Sequence, residues 1–211
     1  DCISCHTNGT YLQMRPQLTP LLGAPTAEMR EFFVEQLEQL AKTDREVLKK
    51  KFTPTQVAYV ATGLAEWDAH VVGKLSAETT MALDLMLSLQ SDNGSWGNTD
   101  CWPPFESSNY QGATVAAMAL ATAPGYLEKL KQDERMGQVE KLKKYLRETT
   151  PPHDYGRLLL LWTSTRVDGL IHKKQQQEII KMVFSHQQAD GGWSMRSFST
   201  PEAWGGGNRA D

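Results

Sequence analysis

Long apolar runs are scarce in this chain. The strongest, Leu158 to Trp162, falls far short of the roughly 20 residues that cross a bilayer, so no transmembrane segment is expected. Excess charge of either sign is also missing: 22 Lys plus Arg stand against 25 Asp plus Glu, the net charge is −3, and no long basic run occurs. Nucleic acid and anionic membrane surfaces are therefore not expected as partners. No stretch alternates apolar and polar residues as a half-buried strand does, so the expected fold class is all-α. What is present is ordinary for a globular protein: 40% hydrophobic and 22% charged residues. With 211 residues and only three cysteines, the chain can bury a substantial core without help from disulfides.

Two of those cysteines open the chain, in the run Cys2, Ile3, Ser4, Cys5 and His6. Two thiols at this spacing can form thioethers to the two vinyl groups of one haem, and the adjoining imidazole then falls beneath the iron as its proximal ligand. The motif implies one covalently held haem c on Cys2, Cys5 and His6. A thioredoxin-like dithiol would need a strand leading into a helix, and no apolar strand opens the chain. A zinc site would need further ligands nearby, and the third cysteine, Cys101, is far along the sequence. Haem attachment requires an oxidising compartment, which implies a periplasmic or otherwise extracytoplasmic protein whose leader is not represented before Asp1.

Residues 1–25 carry the motif and then Gly9, Pro16, Pro20, Gly23 and Pro25, a composition expected to give a short helical start followed by irregular chain. This reads as a haem-binding arm laid on a main domain of residues 26–211. In that domain two kinds of helix alternate. The stretch from Ala27 to Thr43 sets Met29, Phe33, Leu37 and Leu40 on one face and charged residues on the other, the pattern of an outer helix. Thr53 and Pro54 read as the cap and first turn of the next, whose Val57, Ala58, Tyr59, Val60, Ala61, Gly63 and Leu64 are apolar or small nearly all round, the pattern of a buried one. The alternation continues with an outer helix after Ser76, a small-residue helix over Gln111 to Thr122, and a charged amphipathic helix over Arg135 to Glu148. Asp154 then caps an apolar helix through Trp162, and a last amphipathic helix runs from Lys173 to Gln187.

An internal repeat accompanies the alternation. Gln90, Gly94 and Trp96 recur as Gln187, Gly191 and Trp193, each set closing an outer helix as QxxxGxW. Glycine permits the positive φ of a chain reversal, the glutamine amide can satisfy orphan backbone groups, and the tryptophan can seal the junction between hairpins. Equivalent burial of the two tryptophans is expected. The pattern resembles the QW motif of squalene-hopene cyclases and the related β subunits of protein prenyltransferases, over about Ala27 to the end. That resemblance implies an α/α toroid, or an arc of one, left incomplete at the C-terminus. It does not carry the activity across. The DxDD motif with which the cyclases protonate substrate is absent, and where the prenyltransferases place a zinc-binding Asp and Cys this chain reads Ser108, Asn109, Tyr110, Gln111, Gly112 and Ala113.

The remaining chemistry centres on haem. Loops leading into the inner helices carry Asp100, Cys101, Trp102, Glu106, Tyr110, His153, Asp154 and Tyr155, each of which also has an ordinary capping, packing or solvated role. For a second iron ligand, His153 is preferred because Pro151 and Pro152 stiffen its loop; Met14 and His70 are the alternatives, and Met14 would need a tight reversal to reach the far haem face. His172 and His186 are expected to be solvated. The expectation is electron transfer to a redox partner or within a larger complex. The alternatives are a haem enzyme or sensor that holds an apolar small molecule in the toroid, and a haem that only staples a binding module.

Overall fold

Every element of regular structure among the described residues is helical. The computed structural model describes residues 5–97 and 108–200, with side chains from residue 7 onward. Cys2, Asp100, Cys101, Trp102 and Glu106 lie outside the described residues, as do the side chains of Cys5 and His6.

The arm is more helical than its composition suggests. A π-turn at Cys5–Gly9 leads into α1 (Thr10–Met14), a 3-10 turn at Arg15–Leu18 and a short turn at Thr19–Leu22. Pro16 and Pro20 each fall in the first two positions of a turn, where a missing N–H breaks no helical bond. Extended chain begins only at Gly23, with φ of +71°. The Arg15 guanidinium closes the run by donating to the carbonyls of Gly23 at 3.0 Å and Leu22 at 3.2 Å.

Seven longer helices follow: α2 (Ala27–Ala41), α3 (Thr53–Trp67), α4 (Ala77–Ser88), α5 (Asn109–Thr122), α6 (Met136–Glu148), α7 (Asp154–Ser164) and α8 (Lys173–Ser185). Burial follows the two sequence patterns. From Pro54 to Trp67 every residue of α3 is buried, as is Tyr110 to Leu120 in α5, whereas α2 buries only Phe33 and Leu37, and α6 only Val139, Leu142 and Leu146. The expected cap at Thr53 is one residue late: Thr53 is the first helical residue and follows Phe52.

Paired contacts fix the direction of the inner helices. The Gln111 amide donates to the Tyr59 hydroxyl at 3.1 Å, Thr62 Oγ1 to the Val115 carbonyl at 3.0 Å, and Thr122 Oγ1 to the Glu66 carboxylate at 3.3 Å. The two residue series rise together, so α3 and α5 run parallel. Between parallel neighbours the chain must return, and it does so through the outer helices. Thr62 Oγ1 spans the gap between the two helices, since it also bonds the Ala58 carbonyl of its own helix at 2.8 Å.

The two QxxxGxW copies have the same hydrogen bonds. Trp96 Nε1 donates to the Met86 carbonyl and Trp193 Nε1 to the Val183 carbonyl, both at 2.7 Å. Gln90 and Gln187 donate to the Gly94 and Gly191 carbonyls, and those glycines have φ of +93° and +86°. Burial of the tryptophans is not equivalent, contrary to expectation: Trp96 is 0% exposed and Trp193 is 45% exposed. The difference is the neighbour. Helix α6 zips onto the first copy, because Gln90 donates to the Gln138 carbonyl and Gln138 to the Leu87 carbonyl, each at 2.9 Å. No such helix covers the second copy among the described residues. For the same reason α7, read as buried, keeps Leu158, Leu159, Leu161 and Trp162 only half-buried.

Trp96→Ala should therefore cost about 3–5 kcal/mol of stability, and Trp193→Ala about 1 kcal/mol or less. Urea denaturation of the two variants measures the asymmetry, and equal losses would contradict it.

Candidate functional site

The inner helices have two chemically different ends. At their C-terminal ends Arg166, just past α7, contacts both the Glu66 carboxylate and the Thr122 hydroxyl, tying α7 to α3 and α5. A cation here also complements the negative helix ends. Glu66 is fully buried, and burial pushes its carboxyl above the usual range while the Arg166 charge opposes that shift. His70, in the turn Asp68–Val72, lies at this end too, with Nε2 3.2 Å from Glu66 Oε2.

The opposite rim holds His153 and Tyr155. His153, rather than Asp154, caps α7: Nδ1 accepts from the Gly156 backbone N–H at 3.1 Å. The ring stacks on Tyr155 with centroids 5.9 Å apart, and burial lowers its pKa, so it is neutral at pH 7. Asp154 is displaced to the first helical position, where it pairs with Arg157 at 2.9 Å and His186 at 3.2 Å. His186, expected to be solvated, packs edge-on against Phe198 at 5.1 Å as well.

The arm lies along the inner wall. Leu12 is 0% exposed, and a Cβ built on Gly63 of α3 would meet Phe33 Cε1 at 2.7 Å and Leu12 Cδ2 at 3.0 Å, so the missing side chain at Gly63 is what admits the arm. The Arg15–Leu18 turn packs on the Asp68–Val72 turn at the far end of α3, and Thr10 shares a cavity wall with Tyr59 and Tyr155. His6 precedes Thr10 by one helical turn, so its backbone lies toward the His153 rim. The chain stays helical from Cys5 through Met14 without reversing. Met14 is thus about 10 Å further along the same axis and does not come round to face His6.

Two features escaped the sequence reading. One is the Glu66–Thr122–Arg166 cluster, whose members are far apart in sequence; an acid inside an apolar helix was the available signal. The other is a cavity beneath the arm with Gln13 and Gln111 in its wall. Among the described residues no cluster of three or more His, Cys, Asp or Glu can hold a metal ion, and no helix is long and apolar enough to cross a membrane. Comparison of the chain with protein-family models, with curated proteins and with solved structures finds no match.

Arg166→Met leaves a buried carboxylate without its cation and should destabilise the protein by about 3–5 kcal/mol at pH 7. The folded pKa of Glu66 is already raised above 4.5 and rises further without Arg166. A raised carboxyl pKa favours folding at low pH and loses that contribution as pH climbs through the folded value. The deficit should shrink between pH 7 and pH 5 in denaturation experiments; a constant deficit would show that the loss is not electrostatic.

Proposed function

We propose that this is a c-type haem protein in which Cys2 and Cys5 hold one haem c through thioethers and His6 is an axial ligand. The two helical layers are an arc of an α/α toroid, and the arm carries the haem at the rim where the inner helices begin. The function is electron transfer in an extracytoplasmic compartment, to a redox partner protein or within a larger complex. What carries the reading is the CxxCH run at the head of a helical arm that is keyed into the inner wall by Leu12 over Gly63.

The donor chemistry fits the group. Two thiols and an imidazole at this spacing form the attachment set, and a neutral imidazole at His153 belongs to the rim toward which His6 lies. A bound haem supplies a one-electron ferric–ferrous couple. The protein's part is to anchor the arm, shield one side of it with apolar wall, and offer a second ligand. Of the three candidates, Met14 shares an axis with His6, His70 lies at the opposite end of α3, and His153 is the second ligand we propose. Binding through Nε2 puts the ring proton on Nδ1, so the cap to Gly156 is given up at a cost of about 1 kcal/mol.

Exported to a periplasm with haem-attachment machinery, the protein should retain a haem adduct by mass spectrometry after acid-acetone extraction, and Cys5→Ala should lose covalent attachment through one thioether. Extraction of all the haem from the unsubstituted protein would overturn the proposal. His153→Ala should convert a low-spin ferric spectrum to a high-spin one. An unchanged low-spin spectrum would reject His153 as the ligand while leaving the haem assignment intact.

A further inference from the structure

Beneath the arm, the inner helices enclose a cavity of about 100 Å³ that haem attachment does not use. Among the described residues its wall contains no charged side chain, which favours a neutral occupant. Two polar atoms of that wall have no hydrogen-bond partner among the described residues, although their residues are each 3% exposed: Nε2 of Gln13 and Oε1 of Gln111. Gln111 spends its Nε2 on the Tyr59 hydroxyl at 3.1 Å. Turning the amide over exchanges its two atoms without supplying a second partner, so one polar atom of Gln111 stays unsatisfied in either orientation.

Buried amide groups are rarely left this way, and with the amides oriented as here the pair calls for one acceptor and one donor. Gln13 Nε2 needs an acceptor and Gln111 Oε1 needs a donor. A single hydroxyl supplies both, accepting through a lone pair and donating its proton. Burial pushes the Tyr155 phenol up to about 12, so this part of the wall also stays uncharged. The cavity adjoins an apolar groove of about 450 Å³, with which it shares Met14, Leu159 and Trp162. An apolar cavity of about 150 Å³ holds benzene, so in this smaller cavity a ring the size of phenol must extend its far edge into the groove.

We propose that this cavity is a binding site for a small neutral organic molecule with a hydroxyl head, the head between Gln13 and Gln111 and the apolar body directed to the groove. The site is built by α1, α3, α5 and α7 and does not depend on haem.

Phenol and toluene are the probes, because they match in size and differ in the hydroxyl. Calorimetric titration of the full chain should show phenol binding at least about tenfold more tightly than toluene, the worth of a net hydrogen bond. Gln13→Leu and Gln111→Leu should each bring that ratio close to one while toluene binding is kept. Equal affinities in the unsubstituted protein would overturn the proposal. So would a crystal structure from phenol-containing solution with ordered water alone between the two amides, or a preference that survives both substitutions. Should Gln111→Leu fail to fold, the unsubstituted ratio and the phenol-induced NMR shifts of the two side-chain amides decide the matter; equal affinities without shifts count against the site.

Discussion

The close parallel approach of α3 and α5 is the constraint on which the other elements depend. Tyr59, Thr62 and Glu66 of α3 each reach a partner on α5, at Gln111, Val115 and Thr122 in turn. Thr62 stitches the contact by bonding one carbonyl on its own helix and one on its neighbour. Once two inner helices are parallel, each connection between them must travel back outside. The amphipathic helices are therefore not independent folding decisions: they are return paths whose single apolar stripe is what the inner layer leaves to be covered.

This arrangement separates the molecule into two ends with different chemistry. Three helix C-termini converge on Arg166, and the buried Glu66 carboxylate is tolerable there because a guanidinium and a hydroxyl reach it. The other end gathers helix N-termini and the neutral, stacked ring of His153. The arm runs between these ends on the one strip of α3 where glycine leaves room.

The repeated QxxxGxW loops show how far a local motif determines its surroundings. Both copies fold to the same turn with the same indole and amide bonds, because these contacts lie within ten residues and need nothing from elsewhere. Their burial differs completely, since burial depends on whether another helix arrives. The same reasoning accounts for the α7 leucines, whose composition is that of a core helix but which are only half-covered by the described residues. His153 is a further case: a proline-stiffened loop was legible, but a histidine in place of the adjacent aspartate as the cap was not, because Asp154 is drawn off by Arg157 and by His186 from another helix.

By itself the sequence determined the all-helical class, the alternation of one-faced and all-round apolar helices, and the two reversal loops. Each of these is written in spacing along one segment, where hydrophobic period, glycine and proline act over a few residues. Only the tertiary structure decided that the inner helices run parallel, that Glu66 finds Arg166 across 100 residues of chain, and that Gly63 is a seat for Leu12. It alone also brought Gln13 and Gln111 into one cavity wall. These are relations between segments, fixed by which surfaces must be buried together, and no local pattern encodes which distant side chain will fill the space that a glycine leaves.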